Sequence, residues 1–134
     1  MNNQNQLLQL LSLRLKDYDA IVVGEDKKMY IAGIIPLIND ANINFMLPIY
    51  IAQTTRHIAL IKTKLKTAGI RVIYILDNRY TIEENEPTGE ELIKLWHIEN
   101  DSVLITSSHC DISQQNPGYP VFDKIMPIID PCEL

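Results

Sequence analysis

The sequence has only two cysteines, and it lacks both a long apolar run and a cationic leader. Cys110 and Cys132 are too few for a disulfide framework and neither belongs to a CxxC pair, so we expect reduced thiols. No apolar stretch approaches the roughly 20 residues that a membrane-spanning helix needs. The opening MNNQNQLLQLL has no cationic segment ahead of its short apolar run, unlike a signal peptide. These absences predict a cytoplasmic protein that does not act at a membrane.

Positive charge and glycine-rich loops are also scarce. The net charge is −5, which gives no general attraction to a phosphate backbone, so we expect no nucleic-acid partner. The stretch VVGED matches neither a GxGxxG fingerprint nor a Walker phosphate loop. At 134 residues, the chain is most simply one domain with a single core.

What the sequence does contain is an alternation of short apolar runs with amphipathic segments. Thr88 and Glu91 have capping-box spacing, and Thr54 or Thr55 can cap the helix that Gly69 ends. Apolar strands separated by helices are typical of a parallel sheet covered on both faces. The sequence therefore predicts an α/β three-layer sandwich, flavodoxin-like or Rossmann-like, with a mostly parallel sheet of four or five strands. The predicted strands cover residues 19–26, 45–53, 70–77, 101–108 and about 119–123.

The leucine-rich start of the chain divides the domain into an N-terminal helix, residues 1–18, and an α/β core, residues 19–134. Its leucines recur at helical spacing ahead of a unit that looks complete without them. We expect this helix to pack outside the core and to mediate self-association or the binding of a protein partner. The alternative is that the leucines fold back on the sheet.

Polar side chains stand at the ends of the predicted strands, where ligands bind in parallel sheets. The first strand ends on Glu25 and Asp26, and the third ends on Asp77. Such clustered carboxylates favour a hard cation with oxygen ligands, so the sequence predicts a Mg²⁺ site formed by these three acids. A bound cation would keep Asp77 ionised and able to attack a phosphoryl group, with Thr106 and Lys124 holding the other phosphoryl oxygens.

These strand-end residues resemble those of a response-regulator receiver domain. The family has an acid pair after its first strand, a phospho-accepting Asp after its third, Thr or Ser after its fourth and Lys after its fifth. The matching residues here are Glu25, Asp26, Asp77, Thr106 and Lys124. The stretches DAIVVGEDKKMYIAGIIPLI, PTGEELIKLW and GYPVFDKIMP resemble its opening, the helix after its phospho-acceptor and its closing segment.

The resemblance covers about residues 19–128, and it departs from the family at several places. The loop between Asp77 and Pro87 is longer, Lys124 is not followed directly by proline, and little chain remains for a last helix. The resemblance therefore implies a degenerate receiver: a signalling or interaction module that acts through partner binding and is not an enzyme.

Other interpretations remain open. Asp77 can be a turn residue, and Glu25 and Asp26 can be acids that favour the start of the next helix. The chain can also be a small-molecule or nucleotide-binding α/β domain, with or without enzymatic activity, that has an enclosed pocket at the same edge, or it can be a non-catalytic subunit of a larger assembly. Cys110 beside a histidine invites a catalytic or metal interpretation, but the spacing supplies no further ligands.

Overall fold

The structure, a computed structural model, describes residues 4–107 and 118–127. Its centre is a five-stranded, all-parallel sheet in the order β2-β1-β3-β4-β5, which confirms the predicted α/β sandwich with a parallel sheet. The strands are β1 (Ala20–Gly24), β2 (Ile49–Ala52), β3 (Val72–Asp77), β4 (Ser102–Thr106) and β5 (Val121–Asp123). The helices are α1 (Gln4–Arg14), α2 (Lys28–Asn42), α3 (Thr55–Thr67) and α4 (Gly89–Trp96).

The central strands are buried on both faces, which explains why their sequences are continuous apolar runs. Alternate side chains of each strand point to opposite faces and so serve two cores. One core includes Ile21, Val23, Ile73, Ile75, Val103 and Ile105 together with α1 and α2. The other includes Ala20, Val22, Tyr74, Leu76 and Leu104 together with α3 and α4.

The helices begin where the sequence signals them. The Thr54 side chain accepts a hydrogen bond from the His57 amide at 3.1 Å and caps α3. Thr88 and Glu91 form a complete capping box at the start of α4, with bonds of 3.1 and 3.0 Å. Each such cap satisfies amides that would otherwise lack a partner in the first turn. Local sequence therefore fixes where α3 and α4 begin.

The N-terminal helix corrects one of our expectations. The side chains of Leu7, Leu11 and Leu15 are fully buried and belong to the same core as α2 and the β5 segment. The prediction that this helix packs outside the core is wrong, because its i, i+4, i+8 stripe covers the sheet face beside α2. The leucines proposed for self-association are therefore already used inside the protein. Among the described residues, no helix is both long enough and apolar enough to cross a membrane.

We expect Leu11→Ala to lower the free energy of unfolding by about 2–5 kcal/mol, because it leaves a cavity in the core. Leu13→Ala is the matched control on the same helix: its side chain is 72% exposed, so the change should stay within about 0.5 kcal/mol. Urea unfolding of both variants measures the difference. Equal, small effects would show that α1 is not part of the core.

Candidate functional site: an acidic edge closed by a lysine and a loop

The parallel register brings the strand-end acids together. Gly24 of β1 pairs with Leu76 of β3, so the residues that follow them, Glu25 and Asp77, lie side by side at the carboxyl edge of the sheet. One carboxylate oxygen from each of Glu25, Asp26 and Asp77 lies within 4.8 Å of the others. All three residues are buried. The sequence predicted this shared edge, and the structure forms it.

Lys124 lies among these acids, one residue beyond the end of β5. Its Nζ is 2.8 Å from Asp77 Oδ1 and also donates to Glu25 Oε1, with 6–9% of each of the three side chains exposed. The ammonium also lies over the Tyr30 ring, 4.6 Å from its centroid. Buried charges need such pairing, because a carboxylate or ammonium removed from water without a partner is very costly.

Gly33 explains how the Lys124 segment comes this close. A Cβ atom at Gly33 would lie 1.8 Å from the Ile125 carbonyl oxygen, so any other residue would push the segment away from α2. This close approach sets the backbone beside Lys124 directly against the helix that begins after Glu25. Gly33 therefore has a packing role in the site.

Thr106, the other predicted site residue, ends β4 and is buried. The register pairs it with Asp123, immediately before Lys124, and pairs Asp77 with Ile105, immediately before Thr106. Thr106 is thus at the same edge of the sheet as the acids. Cys110 and Cys132, together with the SSHCD stretch from Ser108 onward, lie outside the described residues.

Asp26 is held by the β3–α4 loop rather than by Lys124. Its Oδ2 accepts hydrogen bonds from the Thr81 amide at 2.9 Å and the Thr81 hydroxyl at 2.8 Å. Desolvation raises the pKa of Asp26, but the two bonds from Thr81, a hydrogen bond with Glu25 and the Lys27 charge together hold the pKa below its ordinary value. Its other oxygen, Oδ1, is buried without a hydrogen-bond partner in the described part of the chain.

An unpartnered buried oxygen beside two further carboxylates is a fit for a hard cation such as Mg²⁺. Glu25, Asp26 and Asp77 are the residues that would hold it. Lys124 already contributes one positive charge to two of these three acids. The donor set is therefore suitable for a divalent cation, but the ammonium competes with it for Glu25 and Asp77.

The long β3–α4 loop covers this edge. Tyr80 is buried and its hydroxyl donates to the Gly24 carbonyl at 3.1 Å. Gly24 permits that approach, since a Cβ there would lie 2.6 Å from the Tyr80 oxygen. Farther along, Glu86 Oε1 accepts from the Thr55 amide at 2.7 Å and the Thr55 hydroxyl at 3.0 Å. The loop is thus fastened to β1, to the acid pair and to the start of α3.

Sequence reasoning missed Tyr80, Thr81 and Glu86 as parts of the site. The available signal was an aromatic residue and a threonine directly after the Asp77 turn, in a loop longer than the resemblance implies. The same loop also forms a surface salt bridge between Glu83 and Arg56 of α3, at 2.8 Å.

The closed edge leaves very little free space. The cavity bounded by Glu25, Tyr30, Asp77 and Lys124 has a volume of about 10 Å³, roughly the room that one water needs. Among the described residues, this cavity is too small for an organic ligand, so it is not the enclosed pocket that the alternative interpretation expects at this edge.

Comparison with known proteins adds no further assignment. No protein-family model, no curated protein and no solved structure matches this chain. The site must therefore be interpreted from its own geometry.

Burial makes Glu25 sensitive to pH. Desolvation, opposed by the Lys124 hydrogen bond and reinforced by the Asp77 charge, raises the pKa of Glu25 from 4.5 to about 7. The folded state then binds a proton more tightly than the unfolded state does. Its contribution to stability is complete below the unfolded pKa and is lost as pH rises through about 7.

We expect Glu25→Gln to remove this pH dependence. Between about pH 5 and pH 8, the stability of the natural protein relative to the variant should fall by up to about 3 kcal/mol, since one pKa unit is about 1.4 kcal/mol. Chemical unfolding at a series of pH values measures the difference, in which the histidines common to both proteins cancel. Parallel stability curves would contradict a raised Glu25 pKa.

Proposed function

We propose that the protein is a receiver-like signalling module that acts by binding a partner, with Lys124 at the acidic edge in place of a resident cation. The observation that carries this proposal is the buried ammonium shared by Glu25 and Asp77 beneath a fastened loop. The sheet order and the positions of the acids, Thr106 and Lys124 support a receiver-like arrangement. The buried ammonium and the fastened loop above it support a pseudo-receiver, a receiver-like module that binds a partner without phosphoryl transfer.

Phosphoryl transfer to Asp77 is disfavoured by the same contacts. A carboxylate nucleophile must reach the phosphorus, but Asp77 Oδ1 is paired with Lys124 and the side chain is 9% exposed. A divalent cation held by the three acids would supply charge stabilisation to a transferring phosphoryl group. The cavity that Asp77 lines together with Glu25 and Lys124 has a volume of only about 10 Å³, which is too small for such a group.

The loop above the acids is the surface that a partner would contact. Ile82 is 55% exposed, and Glu84 beside it is also exposed. Their positions depend on the Thr81 contact with Asp26, so the buried edge sets the shape of the outer surface. A partner with a small apolar patch and basic residues complements this surface. A change of charge at the acidic edge would alter the Thr81 hydrogen bonds to Asp26 and so the shape of the loop surface that the partner contacts.

The first test asks whether Lys124 takes the place of a cation. Lys124→Met removes the ammonium but keeps an aliphatic stem against Tyr30, and we expect a loss of about 3–5 kcal/mol, because two carboxylates lose their buried partner. Millimolar Mg²⁺ should raise the melting temperature of this variant but leave that of the natural protein almost unchanged. The double variant Lys124→Met, Asp26→Asn is the control and should respond less to Mg²⁺.

An equally strong response of the natural protein to Mg²⁺ would show that Lys124 does not substitute for the cation. If Lys124→Met does not fold at neutral pH, the same titration is made at mildly acidic pH. There, protonation of Glu25 removes one of the charges left without a partner.

The second test concerns chemistry at Asp77. The protein is incubated with Mg²⁺ and acetyl phosphate, and its intact mass is measured. We expect no phosphoryl adduct on the natural protein, because Asp77 is paired and covered. An adduct that disappears in Asp77→Asn but persists in Asp123→Asn, an acid that ends β5 on the same sheet, would identify a working phospho-acceptor and overturn the pseudo-receiver proposal.

A further inference from the structure

A second concave site lies at the opposite end of the sheet from the acidic edge. It is a groove of about 470 Å³ beside the start of β3, bordered by the later turns of α3 and the end of α4. Pockets for small ligands typically have volumes of about 300–1,000 Å³, so the groove is large enough for one. Its characteristic residues are Lys62, Lys66, Tyr74, Trp96, Ile98 and Asp101.

One wall of the groove is aromatic and apolar. Trp96 is half-buried, and the Lys62 Nζ lies over its ring, 5.1 Å from the centroid. Tyr74 and Ile98 are buried around the groove. Burial, followed by the charge of Asp101, raises the pKa of Tyr74 to about 12, so its hydroxyl remains protonated and able to donate. A planar ring is the shape that such a wall accommodates best.

The α3 wall carries positive charge without neutralisation. Within residues 4–107 and 118–127, neither Lys62 nor Lys66 forms a salt bridge with an acid. They stand one helical turn apart, and desolvation, followed by the Lys66 charge, lowers the pKa of Lys62. Two mutually repelling ammonium groups beside an apolar wall favour the binding of an anion.

The groove also contains two acids, neither of which forms a salt bridge with these lysines in the described part of the chain. Asp101 accepts a hydrogen bond from the Tyr18 hydroxyl at 2.8 Å, and Asp17 is exposed. Arg71, at the same end, is paired with Asp19 at 3.2 Å. The groove thus has a cationic side, formed by the α3 lysines, and the aromatic wall described above. It also has an acidic side that can accept hydrogen bonds from ligand hydroxyl or amino groups.

We propose that this groove binds a small anion that carries a planar aromatic ring and hydroxyl groups, of the size of a nucleoside monophosphate. The anionic group is held by Lys62 and Lys66, the ring packs against Trp96, and the hydroxyl groups face Asp17 and Asp101. This site does not depend on the proposed function of the acidic edge, because the two share no residue.

The protein contains a single tryptophan, so the tryptophan fluorescence reports on this groove alone. Adenosine monophosphate is the probe, with adenosine and inorganic phosphate as the two partial ligands. We expect saturable quenching by the monophosphate, with an affinity about tenfold or more above that of either partial ligand, and weaker binding at high salt. Calorimetry under the same conditions detects binding that leaves the fluorescence unchanged.

The variant Lys62→Gln, Lys66→Gln should lose about tenfold or more in affinity for the monophosphate, while keeping its affinity for adenosine. Lys64→Gln, an exposed lysine on the same helix that does not line the groove, is the matched control and should bind as the natural protein does. Absence of binding in both measurements, or an equal loss in both lysine variants, would overturn the proposal. If binding is absent but the same samples keep the pH dependence of stability that Glu25 causes, the groove proposal fails and the proposal for the acidic edge stands.

Discussion

The ion pairs of Lys124 with Glu25 and Asp77 join three strands that are far apart in the sequence. The carboxyl ends of β1, β3 and β5 each supply one ionisable group to a buried cluster, in which the Lys124 ammonium is the partner of both carboxylates. Removing one partner of a buried ion pair typically costs about 3–5 kcal/mol, whereas forming the pair gains little over an apolar contact. The cluster therefore specifies an arrangement of the strand ends more than it stabilises the fold.

The long loop after β3 supplies the hydrogen bonds of the third acid. Asp26 is the member of the acid group that Lys124 does not reach by a salt bridge, and the Thr81 amide and hydroxyl supply its hydrogen bonds instead. Tyr80 closes the edge over Gly24, and Glu86 caps the amide of Thr55 at the start of α3. A loop fastened in this way converts a buried charge arrangement into an outer surface. The proposed binding function rests on this link between the buried charges and the loop surface.

The N-terminal helix α1 completes the helical layer that α2 forms on one face of the sheet. The described chain has no helix after β5 to cover the sheet beside α2, and Leu7, Leu11 and Leu15 of the leading segment fill that position. Hydrophobic burial has no preference for the end of the chain from which the leucines come. A unit that looked complete from residue 19 onward therefore lacked one of the helices that its core requires.

Local patterns were enough to predict the element types, because hydrophobic period and capping residues act over a few positions. The buried strands, the Thr88–Glu91 capping box and the meeting of the acids at one edge were all predictable in this way. Long-range contacts, which no local pattern contains, decided that Lys124 pairs with two of those acids and that Thr81 donates hydrogen bonds to the third. They also decided that α1 is core and that Trp96 meets Lys62 in a groove. These contacts join residues distant in the chain, and their geometry depends on close approaches such as Gly33 against Ile125, which no local pattern encodes.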